Sequence, residues 1–320
     1  MCLLHTTNTF IATRISALNK DSGHSKECEA MEEQLLAFLK FLQKEYNYSS
    51  NTIAAYKNDL GQFVSYLQAH KLNSAGSWQA IGSDEINGYV TYMKDQPYAS
   101  SSVARKVAAV KSFFNYLETN HIVQENPTTD INSPKVKKRL PKTLSAEEVE
   151  MLLQAPANKK SPKNLRDMAL LNMLYSTGMR VTEVVSLRLE DVDLEEMVLY
   201  CPGKDDQVRE LPFDQYTKDI LANYIEEGRP FLVKDKDETA MFLNHRGQQL
   251  TRQGLWLIIK AYAKEANLSV AVTPHTLRHS FAAHKLNSGS DLQEVQKLLG
   301  HANISTTQIY TQLEETEAAK

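Results

Sequence analysis

Three cysteines in 320 residues, Cys2, Cys28 and Cys201, are too few and too widely spaced for a disulfide framework, and no pair has CxxC spacing. That usage fits a reducing compartment, and the cytoplasm is the expected location. No apolar run approaches the roughly 18 residues that a bilayer-spanning helix needs, which argues against a membrane protein. A basic excess is missing as well. There are 36 Lys and Arg against 39 Asp and Glu, a formal net charge of -3, whereas proteins that bind nucleic acid often carry a surplus of cations. What remains is ordinary: 42% hydrophobic and 23% charged residues, compatible with an enzyme or a binding module. The length accommodates two domains, each able to bury a core.

The cations that are present cluster. Asn132 to Thr143 reads NSPKVKKRLPKT, with Lys135, Lys137, Lys138, Arg139 and Lys142 and no acid. Asp235–Glu238 and an acidic tail, 314–320, offset them elsewhere. Pro127, Pro134 and Pro141 prevent a continuous helix there. Residues 127–142 therefore read as an extended basic linker between domains, able to follow a phosphate backbone.

Residues 1–30 show no sustained periodicity and read as a flexible arm. The first twenty lack acids but hold only Arg14 and Lys20 as bases, a poor match to an organelle transit peptide; Met31 reads as an alternative natural start. From Met31 the pattern is helical, with Leu35, Leu36, Phe38, Leu39 and Leu42 on one stripe. Ser49 or Ser50 offers an N-cap for a second helix carrying Ile53, Tyr56, Leu60, Phe63, Val64 and Leu67. Ser83-Asp84 is expected to cap a third, and Ser100–Ser102 a fourth. Residues 31–126 are thus expected to form a small all-α domain of four helices. The fourth helix shows Arg105, Lys106 and Lys111 off its apolar stripe. Alone they read as a solvated face; beside the basic linker they read as phosphate contacts.

The second domain, 143–313, opens on Ser145-Ala-Glu147-Glu148, a capping-box pattern. Helices are predicted at 164–176 and 181–189, and Met197–Tyr200 with Val208–Pro212 reads as a β-hairpin. Helical periodicity returns at 215–227, 251–266, 275–287, 291–299 and 305–313. The expected fold is mainly α with a small antiparallel β-sheet.

Several residues of this half bear on chemistry. Arg180 follows a glycine turn at a helix start, where it can pair with Glu183 at i, i+3 or hold a phosphate beside helix N–H groups. Lys204 sits at the hairpin turn. His275 and Arg278 fall on one face of a helix opened by Thr273-Pro274. His279, at i+4 from His275, raises a zinc site as a competing idea, but the intervening Thr-Leu-Arg lacks the Glu-x-x of a zincin and puts a cation beside the metal. Gly300 caps one helix before His301, and Tyr310 falls in the next. A tyrosine hydroxyl, with a pKa of about 10, is a poor nucleophile unless cations drain charge from its electrophile and other groups handle protons.

Taken singly, each of these residues has an ordinary structural role. Together, Arg180, Lys204 twenty-four residues on, His275-x-x-Arg278, Leu-Leu-Gly-His301 and a tyrosine nine residues later closely resemble the tyrosine recombinase (phage integrase) family, and within it the bacterial Xer recombinases. The likeness runs from about Met31 to Gln312 and includes NTIAAYKNDL, ASSSVARKVAAVKSFFNYL and SPKVKKRLPKTLS. It implies an N-terminal four-helix, SAM-like core-binding domain that closes a clamp on the duplex with a C-terminal α+β catalytic domain. It implies that Tyr310 attacks the scissile phosphate to give a 3′-phosphotyrosyl link, and that Arg180 and Arg278 hold the non-bridging oxygens. His275 would assist the tyrosine's proton, Lys204 would protonate the leaving 5′-oxygen, His301 would bond the phosphate and Glu183 would orient neighbours. No metal or cofactor is implied. The expected partners are double-stranded DNA recombination sites, with a homo- or hetero-tetramer assembled on two of them, a second Xer recombinase and a DNA translocase.

One departure stands out. The family hairpin usually reads Gly-Lys-Gly-x-Lys-x-Arg, and here it is Gly203-Lys204-Asp205-Asp206-Gln207-Val208-Arg209, so Asp205 is expected to pair with Lys204 until DNA displaces it. Other readings are a mobile-element integrase or excisionase, a type IB topoisomerase-like enzyme, and a DNA-binding protein with decayed catalysis. An acid-dependent nuclease is a further one, but Asp191 and Asp193 are expected to cap a turn.

Overall fold

The computed structural model describes residues 24–70, 77–134, 141–202, 208–301 and 303–310, with the backbone alone for 24–29. Lys137, Lys138, Arg139 and Lys204, and with them the hairpin tip 203–207, lie outside the described residues, as does the tail 314–320. The chain divides into two compact units at Lys138/Arg139.

The first unit contains four helices, α1 (His24–Glu45), α2 (Ser50–Ala69), α3 (Ser83–Asp95) and α4 (Ser100–Thr119). α1 starts seven residues before the expected Met31, because His24–Ala30 is mostly Lys, Glu and Ala, good helix formers even without an apolar stripe. Ser49 caps α2, its hydroxyl accepting from the Thr52 N–H at 3.2 Å. The other two caps differ from expectation. α3 is preceded by Gly82, whose N–H donates to Glu85 Oε2 at 2.9 Å, and α4 is preceded by Ala99, which has no side-chain cap. Ser83 and Ser100 lie inside their helices. Phe38, Phe63, Trp78, Phe113 and Phe114 form an aromatic core, Trp78 and Phe113 meeting edge to face at 4.8 Å. Ile131, inside the stretch expected to be linker, is buried in the same core.

α4 corrects one expectation. Lys106 is 3% exposed; its ammonium donates to Asp59 Oδ1 at 3.1 Å and Gln62 Oε1 at 2.6 Å and lies over the Tyr98 ring. It is a core cation held by a buried carboxylate rather than a group turned to a phosphate. Arg105 shares Asp59 but its side chain is 52% exposed, and Lys111 is half-buried.

The second unit is built around α6 (Pro162–Thr177), which is buried on nearly every side. Around it lie α5 (Ala146–Gln154), α7 (Val181–Ser186), α8 (Gln215–Asn223), α9 (Arg252–Glu265), α10 (Pro274–Asn287) and α11 (Leu292–Leu299). The capping box forms as the sequence indicates: Ser145 Oγ accepts from the Glu148 N–H at 3.2 Å, and Glu148 Oε2 from the Ser145 N–H at 3.0 Å. β2 (Val198–Pro202) and β3 (Val208–Pro212) make the expected hairpin, and a two-residue strand β1 (Val192–Asp193) adds a third antiparallel member. Leu199, Cys201, Arg209 and Leu211 share the inward face, and Cys201 pairs with Arg209 in the ladder. Asp191 and Asp193 cap turns, accepting from the N–H groups of Arg188, Glu195 and Glu196. Among the described residues no helix is long and apolar enough to cross a membrane.

Candidate active site

Two helix C-termini place the arginines. α6 ends on Gly178 and α11 on Gly300, both left-handed at φ +60° and φ +61°, a conformation that costs glycine little. The carbonyls at such ends lack helical partners and carry the negative end of the helix dipole. Arg278 donates to Gly178 O at 2.6 Å and to Leu299 O, and Arg180 donates to Gly300 O at 2.6 Å. The turn after α6 also sets Arg180 just ahead of α7, where its N–H and Nη1 both meet the Glu183 carboxylate, at 2.6 and 2.8 Å. Arg209 reaches the same carboxylate from β3 at 3.0 Å.

Two guanidinium groups, those of Arg180 and Arg209, thus hold one carboxylate, and Arg278 feels its charge without touching it. Burial works against ionising Glu183, but the Arg180 N–H and the charge of Arg209 outweigh it and hold the carboxyl below its usual range. Arg278 is buried, and desolvation aided by Arg180 lowers it to about 10, so it remains charged at neutral pH. Its hydrogen bonds go to backbone carbonyls. A buried cation without a carboxylate in contact is costly to fold and strongly attracts an incoming anion.

The other expected groups line the same cavity of about 520 Å³: Arg180, His275, Arg278, His301 and Tyr310 all border it. A 3₁₀ turn at Ile304–Thr306, capped by Asn303, leads into the helical residues 308–310 that bring Tyr310 back over α10. Tyr310 is 2% exposed and packs with Phe281, Val295 and Leu299. Burial raises its phenol pKa, and Arg278 pulls in the opposite direction. His301 bonds Thr307 Oγ1 through Nδ1 at 2.9 Å, and burial together with Arg278 and Arg180 lowers it to about 4. That leaves it neutral at physiological pH.

Two residues of this arrangement are not evident as site members from the sequence. Arg209 is visible there only as the last position of the hairpin pattern, and its contact with Glu183 spans 26 residues. His279 shows in the sequence only as a candidate zinc ligand; its Nδ1 instead lies 2.6 Å from Tyr310 Oη. Arg252 of α9 and Pro141 also border the cavity.

Gly300 permits a close approach. A Cβ built there would collide with the Arg209 guanidinium, whereas one at Gly289, also at positive φ, meets nothing. Arg209 can swing aside only by giving up its bond to Glu183, so Gly300→Ala is expected to cost more than the roughly 1–2 kcal/mol of left-handed strain that Gly289→Ala incurs. Urea unfolding midpoints of the two variants check this, and equal losses would contradict the close approach.

Residues 142–317 match the model of the Phage integrase family, and residues 35–121 that of the Phage integrase, N-terminal SAM-like domain. The chain is 46% identical over 290 residues to Tyrosine recombinase XerC of Herpetosiphon aurantiacus, covering 91% of this chain and 94% of that protein. It is 41% identical to Tyrosine recombinase XerD of Halalkalibacterium halodurans, covering 90% and 95%. The pre-cleavage complex of XerH site-specific recombinase bound to difH substrate superposes with a TM-score of 0.68 at 24% identity, covering 93% of this chain and 89% of that one, a likeness of fold. The chain belongs to the phage integrase family of tyrosine recombinases, and the relatives it matches over most of its length are Xer tyrosine recombinases.

Proposed function

We propose that this chain is a site-specific DNA recombinase of the Xer type that cuts and rejoins duplex DNA through a 3′-phosphotyrosyl intermediate. The observation that carries the reading is Arg278: a buried, charged guanidinium tied to two helix-end carbonyls, in the cavity that Tyr310 borders. In this reading Tyr310 Oη attacks the scissile phosphorus and the 5′-oxygen leaves. Arg180 and Arg278 bind the non-bridging oxygens and offset the charge of the pentacoordinate state, and such electrostatic stabilisation usually lowers the barrier more than any other single effect. His275 and His301 face the phosphate, Glu183 and Arg209 hold Arg180 in place, and Lys204 delivers a proton to the 5′-oxygen. The phosphotyrosyl ester conserves the energy of the broken bond, so rejoining requires no nucleotide. Arg105, Lys111 and the basic stretch Lys137, Lys138 and Arg139 contact DNA phosphates; Lys106 acts through the fold.

The reaction proceeds in a tetramer on two paired sites, one pair of strands at a time through a Holliday junction. In this reading the task is resolution of chromosome dimers in the cytoplasm, with a second Xer recombinase and a DNA translocase. The test begins with selection of bound duplexes from a random-sequence pool. The chosen duplex is then nicked beside the cleavage position, so that the released fragment is lost and the adduct accumulates. Covalent protein–DNA adducts on the selected duplex, and none on a scrambled one, are expected. Binding without adducts would instead make the chain a decayed DNA-binding protein, and relaxation of supercoils without a specific site would make it a type IB topoisomerase-like enzyme.

A further inference from the structure

Of the histidines around the cavity, His279 is the one whose ring nitrogen touches the tyrosine hydroxyl, with Nδ1 2.6 Å from Tyr310 Oη. His301 spends its Nδ1 on Thr307. His275 lies one turn before His279, with ring centroids 6.4 Å apart. The proton assistance implied for His275 by its family position therefore has a better-placed candidate on the same helix.

We propose that His279 is a catalytic residue that accepts the Tyr310 proton during attack on the phosphate, leaving His275 to serve the phosphate itself. This inference rests on Tyr310 being the nucleophile. In the step, the Oη–P bond forms as the P–O5′ bond breaks. The phenol proton moves from Oη to His279 Nδ1, and O5′ takes its proton from the leaving-group acid. Rejoining reverses both transfers, and His279 returns the proton to Oη.

The surroundings suit a base that is empty beforehand and filled only in the transition state. His275 and Arg278 flank His279 on α10, Tyr310 and His301 come from the segment after α11, and Arg180 and Arg252 border the cavity from α7 and α9. Burial first, then His275 and Arg278, lower His279 to about 4, so the ring is neutral at physiological pH and its Nδ1 is free to accept from the phenol. A neutral ring at Oη also keeps the buried phenol protonated and aligned. When a phosphate binds between Arg180 and Arg278, its negative charge offsets theirs and eases formation of the imidazolium. A base aligned before substrate binds is the arrangement that general-base catalysis rewards.

The experiment measures single-turnover cleavage by the full-length chain on its selected duplex, using His279→Gln, which keeps an amide near Oη but takes no proton. Cleavage is expected to fall by about 100-fold or more, with duplex binding retained. A duplex with sulfur in place of the 5′-bridging oxygen, whose leaving thiolate needs no acid, is expected to show the same loss. The gap from wild type is expected to narrow as pH rises toward the phenol pKa, because a phenolate needs no base. Should His279→Gln fold poorly, Tyr310→3,5-difluorotyrosine in the otherwise native chain gives a second readout. With a base present, its lower phenol pKa is expected to change the rate only weakly. Cleavage by His279→Gln within twofold of wild type, a loss that does not vary with pH, or rescue by the sulfur duplex would each overturn the proposal. If wild type itself forms no adduct at Tyr310, the nucleophile reading fails; a Tyr310 adduct formed at full rate by His279→Gln sinks only the inference.

Discussion

Tyr310→Phe is expected to abolish covalent adducts, a loss on the order of 10⁶-fold, the scale seen when a covalent nucleophile is removed. Duplex affinity is expected to stay within about fivefold, because loss of a single hydrogen bond is worth only about 1 kcal/mol. The substitution removes Oη and its bond to His279, while the ring keeps its packing against Phe281, Val295 and Leu299. Adduct yield on the nicked duplex and equilibrium binding, measured on the same preparation, separate the two effects. Retained adducts would place the nucleophile elsewhere.

Arg278→Lys is the second large effect expected. The charge survives this change, so a purely Coulombic role would tolerate it. Arg278, however, donates at once to the Gly178 and Leu299 carbonyls, two helix ends that a single ammonium cannot bridge while also binding a phosphate oxygen. Cleavage is expected to fall by about 100- to 1000-fold, the range for losing one well-placed donor to a developing negative charge. Single-turnover rates at saturating protein measure it. A rate within tenfold of wild type would mean that charge alone suffices and that the carbonyl anchors do not matter.

The parts of this site that are legible in the sequence are those with local signatures. Apolar periodicity locates the helices, and Ser145 with Glu148 announces a cap that forms as written. Glycines at 178 and 300 mark the turns beside which Arg180 and His301 stand. Pairings between distant positions are not legible. Lys106 looks like a surface cation because its partner Asp59 lies 47 residues upstream. The His279–Tyr310 bond spans 31 residues, and the Arg278–Gly178 bond spans 100. β1, with two residues, is too short to show alternation, and the early start of α1 reflects propensity without an apolar stripe. Periodicity reports which face of an element is buried; it does not report which polar group waits on the other side.

The most direct test of the central claim maps the attachment site. The wild-type adduct on a nicked duplex is digested with protease and nuclease, and the peptide that retains a nucleotide is sequenced by mass spectrometry. The expected peptide spans Tyr310, with a 3′-linked nucleotide on Oη and a free 5′-hydroxyl on the other DNA fragment. Attachment at any other residue, or a 5′-linked nucleotide, would contradict the account.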